Sequence, residues 1–249
     1  MRISAATSKF HPSRYILLVL ILGVIFSIIA VNIVNLKEYP NSDYFTFWLS
    51  GRLATLGQNP YDSSIWIAGH HQFGASWIPN ATFVYPMPIS TLFAPLGLIP
   101  LYQSFIVWDV LSQFMILASV VLLLSINPSL STKPLILPIT AGVILFRPTL
   151  VTLVNGQISG LLLLVIVCTL YLWEKGKWWQ GSALLPMLAL KPNLGVPLIV
   201  FLSIYLLQQK QIRSLAVESI SGLLLLVVGW IQNPNWVVDF WHAGNTKIS

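Results

Sequence analysis

The chain alternates between long uncharged apolar runs and short polar interruptions. No charged residue occurs from Tyr15 to Leu36, and at ~1.5 Å rise per residue that run crosses the ~30 Å hydrocarbon core of a bilayer. Arg2, Lys9 and Arg14 precede it, which predicts an uncleaved anchor with a cytoplasmic N-terminus. The run is longer than the ~7 to 15 apolar residues of a signal peptide, and no small-x-small cleavage site follows. Residues 37–86 are polar and rich in turns, and are predicted to form an extracytoplasmic loop. Within it Ser42 can cap a helix whose Phe45, Leu49, Leu53 and Leu56 recur at three and four, ending at Gly57 before Asn59-Pro60. Tyr44, Phe47 and Trp48 enlarge its apolar side, and the expectation is a short helix lying flat in the membrane interface.

After Tyr85 the apolar character returns in pieces broken by proline. Residues 87–100 form a short re-entrant segment closed by Pro95 and Pro100, and 102–126 make a full span. A half-length piece over 134–146 ends at Phe146-Arg147-Pro148, and a short run continues to Val154. Asn155-Gly156-Gln157 interrupts before 158–173, Lys191-Pro192-Asn193 parts 181–190 from 194–207, and 214–231 is the last span. With Lys175, Lys177, Lys210 and Arg213 placed in the cytoplasm, the Asn155 and Lys191 breaks face the same side as the long loop. Three polar interruptions are therefore expected to converge there. The predicted fold is all-α: one polytopic helical membrane domain over 1–249 with short, broken helices and an extracytoplasmic first loop.

Composition agrees. Only 8% of the 249 residues are charged, against ~25% in soluble domains, while 56% are hydrophobic and the mean hydropathy is +0.79. Such a chain cannot coat itself for water, which excludes a soluble enzyme or a disordered tail. The net charge of +6 comes from basic residues spread singly, so it describes orientation in the membrane rather than a nucleic-acid partner. A single cysteine, Cys168, excludes a disulfide framework.

Backbone breaks at membrane depth persist only where protein or a wet cavity satisfies them, and ionisable groups beside them are functional candidates. Lys191 and Arg147 each have two roles open: a cation closing a helix end, or an anion ligand. Asp109 shares a helix face with Ser112 and Gln113 at i+3 and i+4, which fits a hydrogen-bonded packing role. Asp43 opens the loop helix, where a carboxylate ordinarily serves as a cap. His70 and His71 point in different directions on any regular element and have no partner at ligand spacing, so no metal is expected. Asn80-Ala81-Thr82 matches a glycosylation sequon, and phosphate-loop and Rossmann patterns are absent.

Several phrases, in order, resemble glycosyltransferase family 87. They are Asp43-Tyr44-Phe45 with Trp48, Gly57-Gln58-Asn59-Pro60-Tyr61-Asp62, Tyr85-Pro86-Met87-Pro88, Ala94-Pro95-Leu96, Ile99-Pro100, Trp108, Asn155-Gly156-Gln157 and Ala189-Leu190-Lys191-Pro192. The family consists of polytopic enzymes of the GT-C superfamily that use polyprenyl-phosphate sugars, including bacterial mannosyltransferases of glycolipid assembly, and the plasma membrane is the expected location. The resemblance runs from about residue 40 to 241 and departs at Pro86-Met87-Pro88, where the family has a double proline. Family members continue with further spans after the stretch matching Asn233 to Gly244, so the resemblance implies C-terminal spans beyond residue 249.

The resemblance gives Asp43 the position of the general base that takes the proton of the acceptor hydroxyl. It implies a hexose, with mannose the first candidate, moved from a polyprenyl-phosphate donor to a lipid or glycan acceptor with inversion, and without a cofactor. Lys191 and Arg147 are then candidates for the donor phosphate, and Asn155, Gln157, Tyr85 and Arg52 complete the expected substrate-binding set. Two rivals remain: a secondary transporter, which also uses broken helices, and an inactive, truncated membrane scaffold. The large first loop and the absence of an inverted repeat favour the enzyme.

Overall fold

In a computed structural model of the protein, residues 12–35, 39–78, 80–126, 138–139, 141–143 and 145–244 are described, and every regular element among them is helical. The helices are α1 (Pro12–Asn35), α2 (Asp43–Thr55), α3 (Ser63–Gln72), α4 (Pro88–Gly97), α5 (Leu101–Ile126), α6 (Arg147–Asn155), α7 (Ser159–Glu174), α8 (Trp178–Ser182), α9 (Pro192–Gln208), α10 (Ile212–Gln232) and α11 (Trp236–Ala243), with 3₁₀ turns at Tyr39–Asn41 and Leu185–Leu190. The all-α membrane architecture is as expected. Helices α5 and α10 are long and apolar enough to cross a bilayer, and α6 with α7 qualifies as a pair bent by 120°. Helix α1, with 24 residues, reaches about 36 Å. The expected half-length piece over 134–146 lies partly outside the described residues; its positions 138–139, 141–143 and 145 are helical.

Helix α4 has ten residues, about 15 Å, half the hydrocarbon thickness. Its partner is α2, and glycine makes the pairing possible. A Cβ on Gly51 would sit 2.4 Å from the Phe93 carbonyl oxygen, and one on Gly97 would sit 2.4 Å from the Arg52 nitrogen. Around that backbone contact, Tyr44 stacks on Phe105 at 4.9 Å and Phe47 on Phe93 at 5.2 Å. The Trp48 indole donates to the Ile99 carbonyl at 3.0 Å, and the Tyr44 and Ser104 hydroxyls share a short hydrogen bond.

This pairing gives the apolar side of α2, expected to meet the membrane interface, a protein partner. Tyr44, Phe45, Phe47, Trp48 and Leu49 are each exposed by 1% or less, so the helix spends its apolar residues on protein. A helix that is apolar nearly all round belongs in a core, whereas an interfacial one carries a single stripe. The short apolar run over 181–190 is folded as the end of α8 followed by a 3₁₀ turn. Asp109 is fully buried in α5, where Gln113 donates to it at 3.3 Å and also reaches the Phe26 carbonyl of α1 at 3.3 Å. That is the packing role its spacing suggested.

Candidate active site

The Ser42 hydroxyl accepts from the Phe45 amide at 3.3 Å and so fixes the start of α2. Asp43, the first helical residue, is left exposed at that end. Its Oδ2 accepts a hydrogen bond from the Gln157 side-chain amide at 2.8 Å, across 114 positions of sequence. Among the described residues no donor reaches Oδ1.

Gln157 reaches Asp43 because of the residue before it. Gly156 ends α6 with φ +62°, and a Cβ there would lie 2.5 Å from the Tyr44 Cβ. Only glycine tolerates both the left-handed backbone and the close approach. The Trp108 indole donates to the Gly156 carbonyl at 2.9 Å and holds the turn against α5. On the far side of Gln157, the Ser159 hydroxyl donates to Oε1 at 3.4 Å and accepts from the Lys191 ammonium at 3.5 Å. Asp43, Gln157, Ser159 and Lys191 therefore form one chain of contacts drawn from the first loop and both helix breaks. An apolar groove of about 480 Å³, bounded by Ile116, Phe146, Pro148, Thr152 and Leu163, opens beside Ser159.

Outward of Asp43 lies a small cavity of about 110 Å³ that Tyr85 and His70 also line. Burial raises the Tyr85 phenol's pKa, and the negative charge of Asp43 raises it further, so Tyr85 stays protonated at neutral pH and can donate. The backbone carbonyl of Tyr85 accepts from the Tyr61 hydroxyl at 2.6 Å, which holds this strand of loop in place. His70 is buried, and burial lowers its pKa despite the hydrogen bond from Nδ1 to the Trp66 carbonyl at 2.9 Å. The Nδ1 proton is committed to that carbonyl, leaving Nε2 as an acceptor. His71 is exposed, and among the described residues no group of three His, Cys, Asp or Glu could hold a metal.

Two members of the expected binding set stand elsewhere. Arg147 is exposed at the first residue of α6, about 12 Å from Asn155 at the other end. The sequence sets it at a proline break, whereas the break that meets Asp43 is the one after α6. Arg52 lies nine positions beyond Asp43, about 13 Å along α2. There it donates to the Gly97 carbonyl at 3.3 Å and packs over Trp48 and Phe73, bracing α2 on α4. Asn155, half-buried, ends α6 immediately before Gly156. Sequence reasoning missed Ser159, although its position two residues after Gln157 within the same break was a usable signal.

The sequence profile of glycosyltransferase family 87 matches residues 83–248, two thirds of the chain. The protein belongs to glycosyltransferase family 87. It is therefore a membrane glycosyltransferase with a sugar donor, an acceptor and a bilayer as its partners. Neither the curated proteins nor the solved structures yielded a significant match. Of the site residues of this glycosyltransferase, Tyr85, Gln157, Ser159 and Lys191 fall within the matched span. Asp43 lies before it and joins the others through the Gln157 amide.

Proposed function

We propose that the protein transfers a hexose, with mannose as first candidate, from a polyprenyl-phosphate sugar to an acceptor hydroxyl on the extracytoplasmic face of the plasma membrane, with inversion at C1. Asp43 is the general base. As the acceptor oxygen bonds to C1, its proton passes to Asp43, the bond from C1 to the phosphate oxygen breaks, and the polyprenyl phosphate leaves with the bonding electrons. Lys191 stabilises the negative charge that grows on that phosphate. Tyr85 and the Gln157 amide orient the acceptor and the base.

The observation that carries this reading is the hydrogen bond from Gln157 to Asp43, because it joins a carboxylate with an open oxygen to the break that leads to Lys191. The apolar groove beside Ser159 offers a course for the donor's lipid chain. The extracytoplasmic side is supported by charge. Lys175 and Lys177 follow α7, and Lys210 and Arg213 flank the turn from α9 to α10. Trp178 against Tyr205 and Arg213 over Trp179 bring these turns together. They lie one helix length, about 24 Å, from the Ser159 end, which fits a cytoplasmic position, with the N-terminus inside.

The deciding experiment is Asp43→Asn, assayed for transfer from a radiolabelled polyprenyl-phosphate mannose. The expected result is a fall in turnover of about 10²-fold or more with binding retained. Near-normal turnover removes Asp43 as base.

A further inference from the structure

The carboxylate of Asp43 stands between two unlike walls. On one side are the Gln157 amide, Ser159 and the Lys191 ammonium, which carries the site's fixed positive charge. On the other is the small cavity of the outer loop, and none of its lining residues is Lys or Arg. Its polar groups are the carboxylate itself, the His70 imidazole, whose cation burial disfavours, and hydroxyls and amides such as those of Thr46, Asn80 and Tyr85. A phosphate has nothing to neutralise it there, whereas a ring bearing hydroxyls finds donors and acceptors at several angles.

The same cavity has one large aromatic wall open to solvent. Trp77 is 62% exposed and offers a flat apolar ring face. The backbone beside it is held in place. The Asn41 amide donates to the Ser76 hydroxyl at 2.9 Å, and the Ser76 backbone amide donates back to Asn41 Oδ1 at 3.0 Å. This two-way clasp fastens the residue before Trp77 to the turn that leads into Asp43.

We propose that Trp77 is the platform on which the acceptor stacks, and that the acceptor is accordingly a pyranoside whose C–H face lies on the indole while one hydroxyl meets Asp43. The inference rests on Asp43 being the base and goes beyond it by naming the acceptor's chemistry and the residue that selects it. Asn41 and Ser76 are positioning residues.

The test uses the full chain in nanodiscs, with methyl α-mannopyranoside and methyl α-glucopyranoside as probes and glycerol as a ringless polyol. Saturation-transfer NMR is expected to light the ring protons of at least one pyranoside and to leave glycerol dark. Trp77→Phe keeps the signal. Trp77→Ala weakens binding by about tenfold, and so does Trp77→Leu, which fills the space without a ring. Ring signals absent from the unaltered protein, or as strong in the Ala and Leu variants as in the unaltered protein, overturn the proposal. Asp43→Asn is expected to keep the ring signals while losing turnover, so the two ideas fail separately. An active Asp43→Asn sinks the base, and an unaltered Trp77→Ala sinks the platform.

Discussion

At the scale of single residues, the site is built from groups whose charge states follow from their surroundings. His70 is the clearest case, because burial disfavours its cation. The unfolded chain takes up a proton near pH 6.5, whereas the folded chain resists it to lower pH. Below about pH 6.5 the unfolded state binds more protons, so stability falls on acidification and is regained as pH rises. Thermal melting from pH 7.5 to 5 is expected to show this acid decline, and His70→Gln should flatten it. A decline of equal size in the variant means another group is responsible. For Lys191 the expected outcome is a loss of donor use in Lys191→Gln, with part recovered in Lys191→Arg, since Arg keeps the charge and changes its geometry. Loss of expression in both variants points instead to a cation needed to close the helix end.

Among the elements, the turn between α6 and α7 carries the most information for its length. Gly57 and Gly156 both have positive φ, +67° and +62°, but only Gly156 has neighbours within reach of a Cβ. Gly57→Ala should therefore cost only backbone strain, about 1 to 2 kcal/mol, with transfer activity intact. Gly156→Ala should cost more and should also lower turnover, because relieving the contact with Tyr44 swings Gln157 away from Asp43. Denaturation midpoints and initial rates measured on both variants check this; equal effects would mean that the turn does not position the base. The crossing of α2 and α4 makes a related demand. Gly51→Ala places a methyl group against the Phe93 backbone, and a destabilisation of about 1 to 3 kcal/mol is expected.

Across the whole molecule, the arrangement has two sides. A cysteine placed next to Asp62 should react with a membrane-impermeant maleimide on intact cells, and one next to Lys177 should not, after Cys168 has been replaced by Ser. Labelling of both from one side removes the topology on which the extracytoplasmic reaction depends. Most of this plan was legible in the sequence: the apolar runs, the cap at Ser42, the proline breaks and the meeting of Asp43 with the Asn155 and Lys191 interruptions. What could not be read were facts of packing. The pattern Phe45, Leu49, Leu53 looks the same whether the stripe meets lipid or protein, and it took the glycines of α2 and α4 to bring those helices together. Arg52 and Arg147 read as binding candidates because any isolated cation in an apolar chain does, and the structure stands them at the helix ends away from Asp43 and Asn155. Their distance from Asp43 depends on which end of a helix each occupies.

The hydrogen bond from Gln157 to Asp43 also places a clock on the protein's birth. The two residues are 114 positions apart, and at about 5 to 20 residues per second of synthesis the carboxylate emerges roughly 6 to 23 s before its partner has been made. For most of that interval α5 is incomplete, and throughout it the α6–α7 turn that covers Tyr44 is missing. The loop must wait, shielded first by α4 and then by α5, and the contact of Asp43 with Gln157 comes into being only when the second half of the chain closes over the first.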